Sequence, residues 1–120
     1  MSRDHTKLKV FGMADELVVA VYRATARFPN EERFGLTSQL RRAAVSVAAN
    51  IVEGCARRST ADYVHFLVVA LGSASELRYL LDLSHRLGFV SKPDRDGFDG
   101  MCASLLRSLQ RLVDSLRSPT

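Results

Sequence analysis

Apolar residues recur along this chain at intervals of three and four, in four separate stretches. In the first, Ala14, Val18, Val21, Thr25 and Phe28 are spaced four, three, four and three, and Leu17 and Ala24 widen the stripe. Such spacing keeps side chains on one face of an α-helix. The second stretch aligns Leu40, Ala44, Val47, Ile51 and Cys55, the third Leu67, Ala70, Ala74, Leu77 and Leu81. The fourth aligns Phe98, Cys102, Leu105, Leu109, Leu112 and Leu116. Local signals set the boundaries. Pro29 stops the first helix, because the residue before a proline disfavours helical geometry. Thr37 is the expected N-cap of the second, and Ser59 with Asp62 forms a capping box for the third. Gly88 ends the third helix, and Ser91 with Pro93 opens the fourth. The expected helices run over residues 10–28, 37–56, 60–88 and 93–117, leaving Ser118-Pro119-Thr120 as a short tail. Short connections between four amphipathic helices predict an all-α fold, an antiparallel up-down four-helix bundle, as one domain over residues 1–120.

The third helix is apolar on more of its circumference than one bundle can cover. Its run VHFLVVALG could pass for a buried strand, but the cap, the lack of proline and the continued spacing decide for helix. A second stripe, Ala61, Val68, Gly72, Ser75 and Tyr79, follows the same threes and fours. A helix apolar on most sides is buried on most sides, and an uncovered apolar patch marks an interface. Self-association is therefore expected, with Val68, Gly72, Ser75 and Tyr79 as the candidate subunit interface. The second helix adds small residues beside its stripe, at Ala43, Ser46, Ala48 and Ala49, which let a neighbouring helix come close.

Composition changes this picture little. The 120 residues are 47% hydrophobic and 25% charged, ordinary for a globular chain. Cys55 and Cys102 both fall on apolar stripes and are expected as buried, reduced thiols, since free cysteine behaves as a small hydrophobe. The opening MSRDHTK lacks the apolar core of a signal peptide. Uninterrupted apolar runs reach only about half of the ~20 residues a membrane span requires. A cytoplasmic protein without membrane contact is the expectation.

Charge matters through its distribution. The formal net charge is +4, and residues 37–58 alone hold +3, four arginines against Glu53. Arg41 and Arg42 fall in the expected first turn of the second helix, where the macrodipole disfavours cations by about 0.3–1 kcal/mol each. Glu31 and Glu32 could neutralise them, and so could an anionic partner; of the two, pairing within the chain is the stronger expectation. Arg57 and Arg58 stand at the favoured end, and Glu53 lies four residues before Arg57 in the better orientation for an ion pair. Arg23 and Arg27 read as a solvated face. Asn50 and Glu53 flank the apolar stripe, where a polar group often fixes register or oligomeric state.

No catalytic constellation emerges. Helical bundles hold di-metal sites through carboxylates and i, i+3 carboxylate–histidine pairs on separate helices. Asp62–His65 and Asp82–His85 have that spacing, but they share one helix, ~30 Å apart and about 160° around it. Glycine-rich phosphate loops, zinc spacings and nucleophile elbows are missing from the sequence. The expectation is a non-enzyme with no catalytic residue, no metal and no cofactor.

The segments FPNEERFGLTSQLRRAAVSVAANIVEG, RRSTADYVHFLVVALGSASEL and LGFV, with KLKVFGMADELV before them, resemble a known family. They look like the four-helix-bundle proteins encoded in intervening sequences of bacterial 23S ribosomal RNA genes, relatives of the accessory variability determinant of diversity-generating retroelements. The likeness covers most of the chain and weakens after about Val90. It implies a non-enzymatic bundle assembled as a ring-shaped homopentamer with a central channel. The retroelement relatives are thought to bind nucleic acid and a reverse transcriptase through a basic surface. Two positions depart from the family pattern. Ala48 stands where many members have proline, which removes the reason for a helix kink, and Arg78 stands in a segment that is often acidic. The expected function is thus an oligomeric scaffold that binds RNA or a ribonucleoprotein through Arg41 and Arg42. The alternative is a protein–protein adaptor that does not touch nucleic acid.

Overall fold

A computed structural model of the chain describes residues 3–118; the expected tail at 119–120 lies outside them. Four helices follow in order, α1 (Lys9–Thr25), α2 (Leu36–Cys55), α3 (Thr60–Arg86) and α4 (Lys92–Arg117), with short 3-10 turns at His5–Lys7 and Asn30–Glu32. Each helix packs on its sequence neighbours, α4 closes back on α1, and the diagonal pairs stay apart among the described residues. The result is an all-α up-down four-helix bundle, 49 × 22 × 20 Å.

The core contains the anticipated stripes, with shifts at the helix ends. All five stripe residues of α2 and all five of the first α3 stripe are buried. In α1 the buried set is Val10, Ala14, Leu17, Val21 and Thr25, while Val18, Ala24 and Phe28 are half-buried at its margin. In α4 the stripe continues from Leu109 to Val113, which is fully buried, and Leu112 and Leu116 move to the edge. By length and composition α3 could cross a membrane, although its apolar runs are short. Here Leu67, Ala70, Ala74 and Leu77 are its inner face, wholly enclosed by the bundle.

The ends follow local chemistry. α1 stops at Thr25, three residues before the expected Phe28. The Thr25 hydroxyl donates to the Val21 carbonyl at 2.7 Å, and Arg27 N and Phe28 N then bond three residues back, to Ala24 O and Thr25 O. This tighter winding takes the chain into Pro29. Thr37 is not the N-cap of α2. The helix begins at Leu36 behind Gly35, and the Glu32 carboxylate accepts from the Leu36 amide at 3.0 Å. A side chain at 35 would stand 2.8 Å from that carboxylate. Ser59 and Ser91 do cap α3 and α4, accepting from the amides of Asp62 and Asp94 at 3.0 and 3.3 Å. α3 closes at Arg86 in a Schellman turn. Gly88 adopts φ +85°, Phe89 N donates to Ser84 O, and Gly88 N to His85 O, both at 2.9 Å. Such a left-handed residue is strained for any side chain but glycine's.

Two polar links set the helix registers. Between α2 and α3 the Ser46 and Ser73 hydroxyls meet at 2.8 Å, and Asn50 donates to both the carbonyl and the hydroxyl of Ser46. Lower on the same seam, a Cβ at Gly54 would lie 3.1 Å from Tyr63 Cδ1 and Phe66 Cβ, so the glycine of ANIVEG lets α2 and α3 close. Between α3 and α4, Arg78 grips Asp99 with two bonds of 2.7 and 3.0 Å, and Arg95 grips Asp82 at 3.0 Å. Arg86 and Asp96 extend the array. Arg78 is therefore locally neutralised. α2 runs as one continuous helix through Ala48.

Candidate functional site

Arg41 and Arg42 sit beside a groove of about 500 Å³ where α1, the following loop and α2 converge. Because α2 begins at Leu36, the pair falls in its second turn and not its first. Successive residues of a helix point about 100° apart, and the two arginines have different surroundings. Arg41 folds back on α1: its Nε donates to the Thr25 hydroxyl at 2.9 Å, a terminal nitrogen reaches the Tyr22 carbonyl at 3.4 Å, and the guanidinium stacks 4.5 Å from the Tyr22 ring centroid. It neutralises the carbonyl end of α1, where cations are favoured. Arg42 is exposed. The anticipated pairing with Glu31 or Glu32 does not form among the described residues; the Glu32 carboxylate turns instead to the α2 amide.

Two further side chains belong to this groove and were not singled out from the sequence. Arg33 and Phe34 line it with Tyr22 and Val45. Phe34 is 89% exposed, and the Arg33 guanidinium lies 5.4 Å from its ring centroid. Among the described residues neither Arg33 nor Arg42 has a carboxylate within 4 Å; every ion pair there involves other cations. A signal was available: Phe34 sits in the loop PNEERFG, outside every helical stripe.

The candidate subunit interface is uncovered in the single chain. Val68, Gly72, Ser75 and Tyr79 are all exposed, Tyr79 to 57%, and a Cβ at Gly72 would meet nothing within 4 Å. On α2 a second outward stripe, Val45, Ala49 and Val52, has the same helical spacing. The carboxylate–histidine pairs have other partners. Asp82 is held by Arg86 and Arg95, the His85 Nδ1 lies 2.8 Å from the Val90 carbonyl, and the His65 ring meets Phe66 edge-on. Among the described residues no three His, Cys, Asp or Glu side chains gather as a metal site. Cys55 and Cys102 are free and buried; burial raises both thiols, Cys102 to about 11.

The architecture places the chain among all-helical four-helix bundles. Its sequence is more specific: residues 6–111 match the pattern that defines the 23S rRNA-intervening sequence proteins, and the chain belongs to that family. A solved protein of unknown function from the S23 ribosomal protein family of Bacteroides thetaiotaomicron shares the fold. The two superpose with a TM-score of 0.81 over 88% of this chain and 95% of that one, at 24% sequence identity. Comparison with curated proteins yields no match.

Proposed function

We propose that this protein is a non-enzymatic cytoplasmic scaffold that assembles with copies of itself and binds RNA, alone or within a ribonucleoprotein, through the basic groove at the start of α2. The observation that carries the reading is the pair Arg33 and Arg42, cations without a carboxylate in reach among the described residues and facing solvent. Assembly multiplies that groove. A ring needs two different patches that meet head to tail, and the exposed stripe of α3 with Ala49 and Val52 of α2, clear of the groove, are the two this reading assigns. The family resemblance favours a homopentamer of 13.3 kDa chains.

Fluorescence anisotropy with labelled RNA at several salt concentrations tests the reading. Each neutralised phosphate releases counterions, so affinity falls steeply with salt. Replacing Arg33 and Arg42 by alanine should flatten the log–log slope by roughly 0.7–0.9 for each lost phosphate contact. An absence of RNA binding even at low salt overturns the reading and leaves the groove to an acidic protein partner. An unchanged slope in the double variant clears these two residues.

A further inference from the structure

The groove at the start of α2 presents an aromatic face as well as charge. Phe34 belongs to no part of the hydrophobic core and is almost wholly exposed, between the guanidinium of Arg33 and the groove that Arg42 borders. Tyr22, the other aromatic there, already has the Arg41 guanidinium stacked on its ring. Phe34 has a guanidinium over its ring as well, that of Arg33 at the longer distance of 5.4 Å, but it is 89% exposed against 42% for Tyr22 and so offers the freer π-face.

We infer that the groove selects unpaired RNA, one base stacking on the Phe34 ring while Arg33 and Arg42 hold neighbouring phosphates; this rests on the RNA-binding reading above. The chemistry separates the possible ligands. In a duplex the bases are paired and stacked on each other, and a protein meets chiefly phosphates and 2′-hydroxyls. Arginines suffice for those, and Phe34 would add nothing. An unpaired nucleotide offers a planar base and a phosphate within one repeat, which matches an aromatic ring set between cations. An acidic peptide offers the charge without the plane.

The test compares the full-length protein with a labelled oligouridylate, which forms little structure of its own, and with an RNA duplex of equal length. Wild-type protein should favour the single strand. Phe34→Ala and Phe34→Leu should each weaken single-strand binding about tenfold, within the range of one lost base stack, and leave duplex binding unchanged; Phe34→Trp should retain it. Phe34 is outside the core, so thermal melts of the variants should match wild type, which separates lost contact from lost fold. Full retention by Phe34→Leu would show a merely apolar contact and overturn the inference. Equal affinity for strand and duplex, unmoved by any Phe34 change, would overturn it too, while the basic-surface reading would survive. Binding of neither RNA removes both.

Discussion

Arg41 and Arg42 are chemically identical neighbours, and the fold gives them different work. Arg41 ties the start of α2 to the last turn of α1 through Thr25, the Tyr22 carbonyl and the Tyr22 ring. Removing a half-buried guanidinium with those partners should cost about 1–2 kcal/mol, the sum of hydrogen bonds and a cation–π contact at partly exposed sites. Arg42→Ala should leave stability unchanged within about 0.5 kcal/mol, as surface substitutions do. Urea denaturation of the two single variants checks the contrast, and equal midpoints would contradict it. In sequence the two positions carry the same signal; only helix rotation and the position of Thr25 sixteen residues earlier tell them apart. Phe34 escaped notice for a related reason: periodicity finds residues that share a face, and a lone aromatic in a loop shares none.

At the scale of elements, α3 and α4 are joined by an array of charges. Arginines lower the carboxyls of Asp99 and Asp82, Arg78 by hydrogen bonding to the first and Arg95 to the second, and Lys92 with Arg95 lowers Asp96. Each folded-state value lies below the unfolded reference of ~3.9. The array's stabilisation is therefore complete above about pH 5 and is lost as pH falls through the lowered folded values. Urea midpoints measured from pH 6 down to pH 2 should fall across that window, and Asp99→Asn should make the fall shallower. A parallel fall in the variant would show that the Arg78–Asp99 pair is not involved. High salt should shrink the effect, since these groups are partly solvated. The helices themselves were legible in the sequence because periodicity and caps agreed, as at Ser59, Gly88 and Ser91. Misreadings clustered at ends. Thr37 has the right side chain for a cap, yet Glu32 reaches the helix start from the loop, a contact that depends on a three-dimensional turn. Leu112 and Val113 are both apolar and adjacent, so spacing alone could not say which one faces inward.

The whole molecule leaves one long side of α3 without cover. A Cβ added at Gly72, in the centre of that side, would meet nothing within 4 Å in the single chain. Alanine there should stabilise an isolated subunit by roughly 0.5–1 kcal/mol through helix propensity. A leucine at the same position would hold off any neighbour packed against the stripe. Gly72→Leu should therefore keep full helicity by circular dichroism while light scattering shows the particle reduced to one-chain mass. Wild-type protein at one-chain mass and micromolar concentration would refute the assembly outright.

The bundle is a closed circuit of four seams, and they are unequal. Three of them join consecutive helices; the fourth, α1 against α4, is the lightest and unites the two ends of the fold. Consecutive pairs can zip as local hairpins with little loop-closure entropy, whereas the fourth must wait until the others have brought distant segments together. Thermal opening is therefore expected to begin where the circuit was last fastened: α1 should lift away, breaking the Arg41 bonds to Thr25 and Tyr22, and native-state hydrogen exchange should find the α2–α3 hairpin protected longest.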